Sequence, residues 1–145
     1  PNLNILKELG DVTFYHHTTD AEVFEKIKDA AVVITNKVKI SRETISKTEK
    51  LKLICVAATG TNNIDLEAAK EHDIPVKNVS GYSTDSVAQV TFTMLLYLLN
   101  KPWYYDQYVK SGEYIKNTFF THIGKPFYEL KGKQWGIIGL GNIGK

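Results

Sequence analysis

The chain has 145 residues, 43% hydrophobic and 23% charged, with a net charge of +2. That balance is ordinary for a soluble globular chain, and the length suits one domain, or one domain and the start of another. The charge is too small, and the lysines too scattered, to argue for nucleic acid or a membrane surface as a partner.

The single cysteine, Cys55, sits in Leu53-Ile54-Cys55-Val56. It cannot form an internal disulfide, so a reducing, cytoplasmic setting is expected, and in so apolar a run it reads as an inert buried thiol. The N-terminus lacks the uncharged apolar core of a signal peptide. The longest apolar stretch, Val87 to Leu99, is too short and interrupted to span a bilayer. Pro1 leads straight into a helix-like segment, where an α/β domain would open with a strand, so a first strand is expected to be missing.

Asn2 to Leu9 places Leu3, Leu6 and Leu9 at helical spacing, with Gly10 as a stop. Asp11 to Tyr15 reads as a short strand. Thr19 and Glu22 form a capping box for a helix that buries Val23, Phe24 and Ile27. Ala31 to Ile34 is a continuous apolar run suited to a strand covered on both faces. Ser41 to Lys47 predicts a short, largely solvated helix, and Leu51 to Ala58 another apolar strand. After the loop Thr59 to Asn63, Asp65 is a good N-cap for a helix through Leu66, Ala68 and Ala69 to Glu71. Ile74 to Val79 is a further strand, with Pro75 near its beginning where a lost N–H costs least. Strands alternating with helices at this spacing predict a parallel, doubly wound α/β sheet.

Ser83, Thr84 or Asp85 caps a long helix running to about Asn100. It is apolar nearly all round, so it must be covered on several sides, between two domains or two subunits. Pro102 breaks it. Trp103 to Ile115 predicts an aromatic-rich helix interrupted by Gly112, and Asn117 to Lys133 is irregular. The run Trp135-Gly136-Ile137-Ile138 then reads as a strand entering Gly139, Gly141 and Gly144, the spacing of a dinucleotide-binding βα turn. Gly139 would permit the tight turn, Gly141 the approach of a pyrophosphate, and Gly144 close packing of helix on strand. The alternative is a plain strand–turn.

Two loops at strand ends are candidate sites, since ligands of open α/β sheets bind there. Ala57-Ala58-Thr59-Gly60-Thr61 could offer adjacent amides to a carboxylate or phosphate, or be a plain βα turn. Ser80 to Ser86 could touch a ligand or simply cap its helix. His16, His17, His72 and His122 have no carboxylate or histidine partner at catalytic spacing, and the sequence shows no metal-ligand cluster.

Leu51 to Leu99 (LKLICVAATGTNNIDLEAAKEHDIPVKNVSGYSTDSVAQVTFTMLLYLL) and Glu129 to Lys145 (ELKGKQWGIIGLGNIGK) resemble the D-isomer-specific 2-hydroxyacid dehydrogenases, and the GYSTDSVAQ run most resembles their glycerate dehydrogenase (hydroxypyruvate reductase) branch. The resemblance implies a flavodoxin-like substrate domain over residues 1–100, a connecting helix and loop over 101–132, and the first strand and turn of a Rossmann domain over 133–145. It implies that Ala57, Ala58, Thr59 and Gly60 hold a substrate carboxylate, with Thr59, Ser86 and Val87 near the nicotinamide. Asn142 and Ile143, with Gly139, Gly141 and Gly144, would take the pyrophosphate. NAD is the expected cofactor, with NADP left open, and a small 2-hydroxy or 2-keto acid the expected substrate. A cytoplasmic homodimer with neither nucleic acid nor membrane partners is expected.

The family's catalytic arginine, glutamate and histidine lie downstream of the glycine motif. The chain is therefore expected to be an N-terminal part of such an enzyme, inactive by itself, its last residues disordered or paired with a second copy. A non-catalytic, dinucleotide-responsive co-repressor of the same fold is the alternative. A stand-alone flavodoxin-like domain is a third, and the terminal glycine motif argues against it.

Overall fold

The computed structural model describes residues 3–145. It divides into two compact units, one ending at Ser80 and the other spanning Gly81–Lys145. The first is built on three parallel strands, β1 (Val32–Thr35), β2 (Leu53–Val56) and β3 (Val76–Asn78), in the order β1-β2-β3. The register pairs Val32 with Leu53, and Ile54 with Val76. α1 (Val23–Ile27) precedes β1, and α2 (Arg42–Lys47) and α3 (Leu66–Glu71) connect the strands in turn.

The local signals in the sequence explain these elements. The Ser41 hydroxyl caps α2 by accepting from the Thr44 N–H at 3.3 Å. The Asp65 carboxylate caps α3 by accepting from the Ala68 N–H at 2.8 Å. Each bond satisfies an amide that the first helical turn leaves open. Ahead of α1 the capping box is present with its bonds shifted. The Glu22 carboxylate accepts from both the Thr19 N–H (2.8 Å) and the Thr19 hydroxyl (2.7 Å). Those donors, with Lys26, hold the Glu22 carboxyl down at about 2.

The core of this unit gathers Val23 and Ile27 of α1, Ile45 of α2, Ala68 and Ala69 of α3, and Val33, Ile54 and Val56 of the sheet. Ile45, Ile54 and Ala68 are fully buried. A parallel bridge between Ile40 and Ile64 ties the entries of α2 and α3 together, and the Asn63 amide donates to the Val38 carbonyl at 3.0 Å.

Several expectations are corrected in this unit. Residues 3–8 form a 3₁₀ helix without buried residues, and Asn2 lies outside the described residues. Asp11 to Tyr15 is not a strand; Phe14 and Tyr15 are exposed, and among the described residues no strand pairs with this segment. β1 is covered on one face only: Val33 and Thr35 are buried, whereas Val32 and Ile34 are 50% and 54% exposed. The helices of this unit pack against one side of the sheet edge, so the continuous apolar run gave the strand but overstated its cover. Cys55, on the opposite side of β2 from Ile54, is half-buried.

The second unit opens with α4 (Thr84–Asn100) and continues through α5 (Pro102–Lys110) and α6 (Glu113–Lys116). Lys101, at φ +50°, ends α4 in the left-handed region, and Pro102 starts α5 at the position where its missing N–H is harmless. Gly112, at φ +77°, separates α5 from α6. No residue of α4 is buried, and Phe92, Met94 and Leu98 are more than half exposed. The expected cover on several sides is therefore not found among the described residues. Trp135 to Ile138 likewise joins no ladder; Trp135 instead sets its ring against Phe92, centroids 5.0 Å apart. A strand exists through its partners, and none of the sheet's three strands belongs to this unit.

Candidate functional site

The first candidate is the loop at the carboxyl end of β2. The Ala57 N–H continues the ladder to the Thr35 carbonyl at 2.7 Å. Ala58 is buried and its carbonyl accepts from the Val79 N–H at 3.1 Å. Thr59 and Gly60 are exposed, and among the described residues no partner accepts from either N–H. The Thr59 carbonyl, in contrast, is held: the Asn78 amide, from the last residue of β3, donates to it at 2.6 Å. A Cβ on Gly60 would come within 3.1 Å of Asn62 Oδ1, the end of an exposed side chain. Two adjacent free amides at a strand end can bind an anionic oxygen.

The second candidate is the glycine turn of the other unit. Gly139 has φ +103°, a conformation reserved for glycine. The chain then turns back, with the N–H groups of Gly144 and Lys145 donating to the Gly141 carbonyl at 3.1 and 3.2 Å. A Cβ on Gly144 would overlap the Gly139 carbonyl oxygen, whereas a Cβ on Gly141 would meet open space. Gly144 is thus required by the closure of the turn, and Gly141 leaves one side of it clear. Asn142 and Ile143 are exposed at its tip.

Ser86 and Val87 belong to the first turn of α4. The Ser83 side chain makes no capping bond; its carbonyl accepts from the Val87 N–H at 2.9 Å and the Ser86 hydroxyl at 3.2 Å. The Ser86 side chain is therefore turned onto its own helix. Ala57 to Gly60 lie in the first unit, and Ser86, Val87 and Gly139 to Gly144 in the second.

Sequence reasoning passed over Asn78. The signal was available, since an asparagine is out of place in a strand by propensity and this one ends the strand beside the candidate loop. His122 has a more definite setting than its irregular segment suggested. Its ring stacks on Tyr108 at 3.6 Å, and its Nε2 lies 2.9 Å from the Tyr104 hydroxyl. His72 caps α3, its Nδ1 3.0 Å from the Ala68 carbonyl, and His16 and His17 are exposed. Arg42 pairs with Glu71 and lies 3.7 Å from Asp65, bracing α2 against α3 at the surface. That guanidinium holds the Glu71 carboxyl below its usual range. Among the described residues no cluster of acidic, histidine or cysteine side chains could hold a metal ion, and no helix is long and apolar enough to cross a membrane.

Against known proteins, residues 1–132 match the family described as D-isomer specific 2-hydroxyacid dehydrogenase, catalytic domain. The hydroxypyruvate reductase of Blautia hydrogenotrophica is 38% identical over 143 residues, which cover 97% of this chain and 44% of that one. The chain thus spans less than half the length of this relative. Among solved structures, D-lactate dehydrogenase from Aquifex aeolicus, complexed with NAD and lactic acid, superposes with a TM-score of 0.78 at 29% identity, covering 97% of this chain and 41% of that one. An acyclic imino acid reductase in complex with NADPH and D-Arg gives a TM-score of 0.81 at 29% identity, covering 98% and 45%.

Proposed function

The chain belongs to the D-isomer specific 2-hydroxyacid dehydrogenases, and on that premise we propose that it forms the substrate cradle and the first cofactor turn of an oxidoreductase acting on a small D-2-hydroxy acid, of the glycerate/hydroxypyruvate type. The observation that carries this reading is the Gly139–Gly144 turn, closed so that no side chain is tolerated at Gly144 while Gly141 stays open. That is the shape in which backbone can approach a pyrophosphate.

The nicotinamide dinucleotide, when bound, supplies the hydride acceptor or donor for C2 of the substrate. The chain's own residues do the rest of what is proposed here. Thr59 and Gly60 present free N–H groups to the substrate carboxylate, with Ala57 and Ala58 anchoring the loop to the sheet. Gly139, Gly141, Asn142, Ile143 and Gly144 hold the pyrophosphate, and the family resemblance assigns Thr59, Ser86 and Val87 to the nicotinamide. Acid–base chemistry is assigned, through the family resemblance, to the arginine, glutamate and histidine that follow the glycine motif in the family. NAD is the cofactor favoured, and a homodimer the assembly.

The test is oxidation of NADH and of NADPH by the full-length protein with hydroxypyruvate and glyoxylate. Turnover of hydroxypyruvate is the expected result. No oxidation of either cofactor with any small 2-keto acid would refute the reading.

A further inference from the structure

We propose that Asn78 is a positioning residue for substrate binding: its side-chain amide fixes the peptide plane that aims the Gly60 N–H at the substrate carboxylate. The inference rests on the carboxylate role given to the loop above and adds to it a residue that acts through the backbone.

Asn78 closes β3 and is in register with Val56, the last residue of β2. Its Nδ2 donates to the Thr59 carbonyl at 2.6 Å, across a sequence separation of 19 residues. The Thr59 carbonyl and the Gly60 N–H belong to one peptide unit, which is planar and trans, so the two groups point in opposite directions. Holding the carbonyl toward β3 therefore turns the Gly60 N–H away from β3. No other bond sets this plane: the Thr59 and Gly60 N–H groups have no partner among the described residues, and the ladder's last bonds are made by Ala57 and Ala58. Asn78 is exposed, so its amide gains nothing from burial. What its placement provides is orientation, at the edge where the ladder ends.

An amide that grips a carboxylate does so equally in the ground state and at the transition state. Misaiming it weakens substrate binding and leaves the chemical step alone, so the cost falls on KM and not on kcat.

The test compares the full-length protein with its N78A, N78D and N78Q variants. Amide proton–nitrogen correlation spectra follow the Gly60 resonance during titration with oxamate, and steady-state kinetics use hydroxypyruvate with NADH. The Gly60 resonance of the parent is expected to shift on titration. In N78A the oxamate Kd and the hydroxypyruvate KM rise together by roughly three- to tenfold, the worth of one hydrogen bond, with kcat within about twofold of the parent. N78D is worse than N78A, because it sets an acceptor against the Thr59 carbonyl and a negative charge beside the substrate. N78Q, which keeps the donor, recovers part of the loss.

A merely structural asparagine would lower the melting temperature and kcat and leave KM and the Gly60 response unchanged, and that pattern overturns the proposal. So does a Gly60 resonance in the parent that ignores oxamate. A parent that oxidises no NADH, but whose Gly60 response to oxamate is weakened in N78A, removes the dehydrogenase reading and sustains this one. Turnover with an unchanged KM in N78A does the reverse.

Discussion

Replacing Ile54 by alanine tests the physical basis of the first unit. Ile54 is fully buried on the central strand, in register with Val33 on one side through β1 and with Val76 on the other through β3. The truncation removes three carbons, about 2.4 kcal/mol of transfer free energy at about 0.8 kcal/mol each. A residual cavity of about 50 Å³ adds about 1.2 kcal/mol at roughly 24 cal/mol per Å³. The expected cost is thus about 3.6 kcal/mol, within the range of such truncations. Ile34 supplies the control. It is 54% exposed on the other side of β1, so Ile34→Ala loses about half the transfer term and leaves no cavity, about 1 kcal/mol. Urea unfolding followed by far-UV circular dichroism measures both. Trp103 and Trp135 both lie in the second unit, so tryptophan fluorescence monitors that unit separately and should shift little in either variant. Equal costs at Ile54 and Ile34 would refute the one-sided sheet. A cost below about 1 kcal/mol at Ile54 would refute the packed core.

Three further outcomes follow from single contacts. Thr19 and Lys26 hold the Glu22 carboxyl at about 2, below its ordinary 4.5, so the stability it gives is complete above the ordinary value and lost as pH falls from there through about 2; Glu22→Gln should flatten the acid limb of a pH titration read by circular dichroism over that window. Gly144→Ala drives a methyl into the Gly139 carbonyl, and should weaken NADH binding by about tenfold or more, measured calorimetrically on the full-length protein, without moving the first unit's unfolding. Gly124→Ala forces Tyr104 and His122 apart; the near-UV dichroism of the tyrosines should change while the far-UV signal of the helices stays.

What the sequence made legible was local. Ser41 and Asp65 mark helix starts with hydroxyl and carboxylate acceptors whose partners sit three residues on, so no knowledge of the rest of the chain is needed. The apolar runs around Val33, Ile54 and Val76 are strands, and the family resemblance is upheld by the match over residues 1–132. What failed was non-local. Asp11 to Tyr15 and Trp135 to Ile138 have strand-like residues and no ladder to join, because propensity describes a residue's fitness for a pleated surface and not the presence of a neighbour. Ile34 and Val32 carry the same apolar signature as Val33, yet the sheet covers only one of the two faces they define. Asn78 was hidden for the same reason: its bond reaches Thr59 from a different strand, and only pairing register brings the two together.

The strand order β1-β2-β3 follows the order of the chain. Each strand therefore joins the one made just before it, across a single short helix, and no strand must wait for a distant segment. Such sequential pairing keeps each loop closure shorter than a shuffled strand order would. On the ribosome, where N-terminal parts emerge first, β3 would complete the sheet as soon as Asn78 was free. At that moment the Thr59 carbonyl would acquire its donor, so the loop after β2 would be set while the Gly139–Gly144 turn was still to be synthesised.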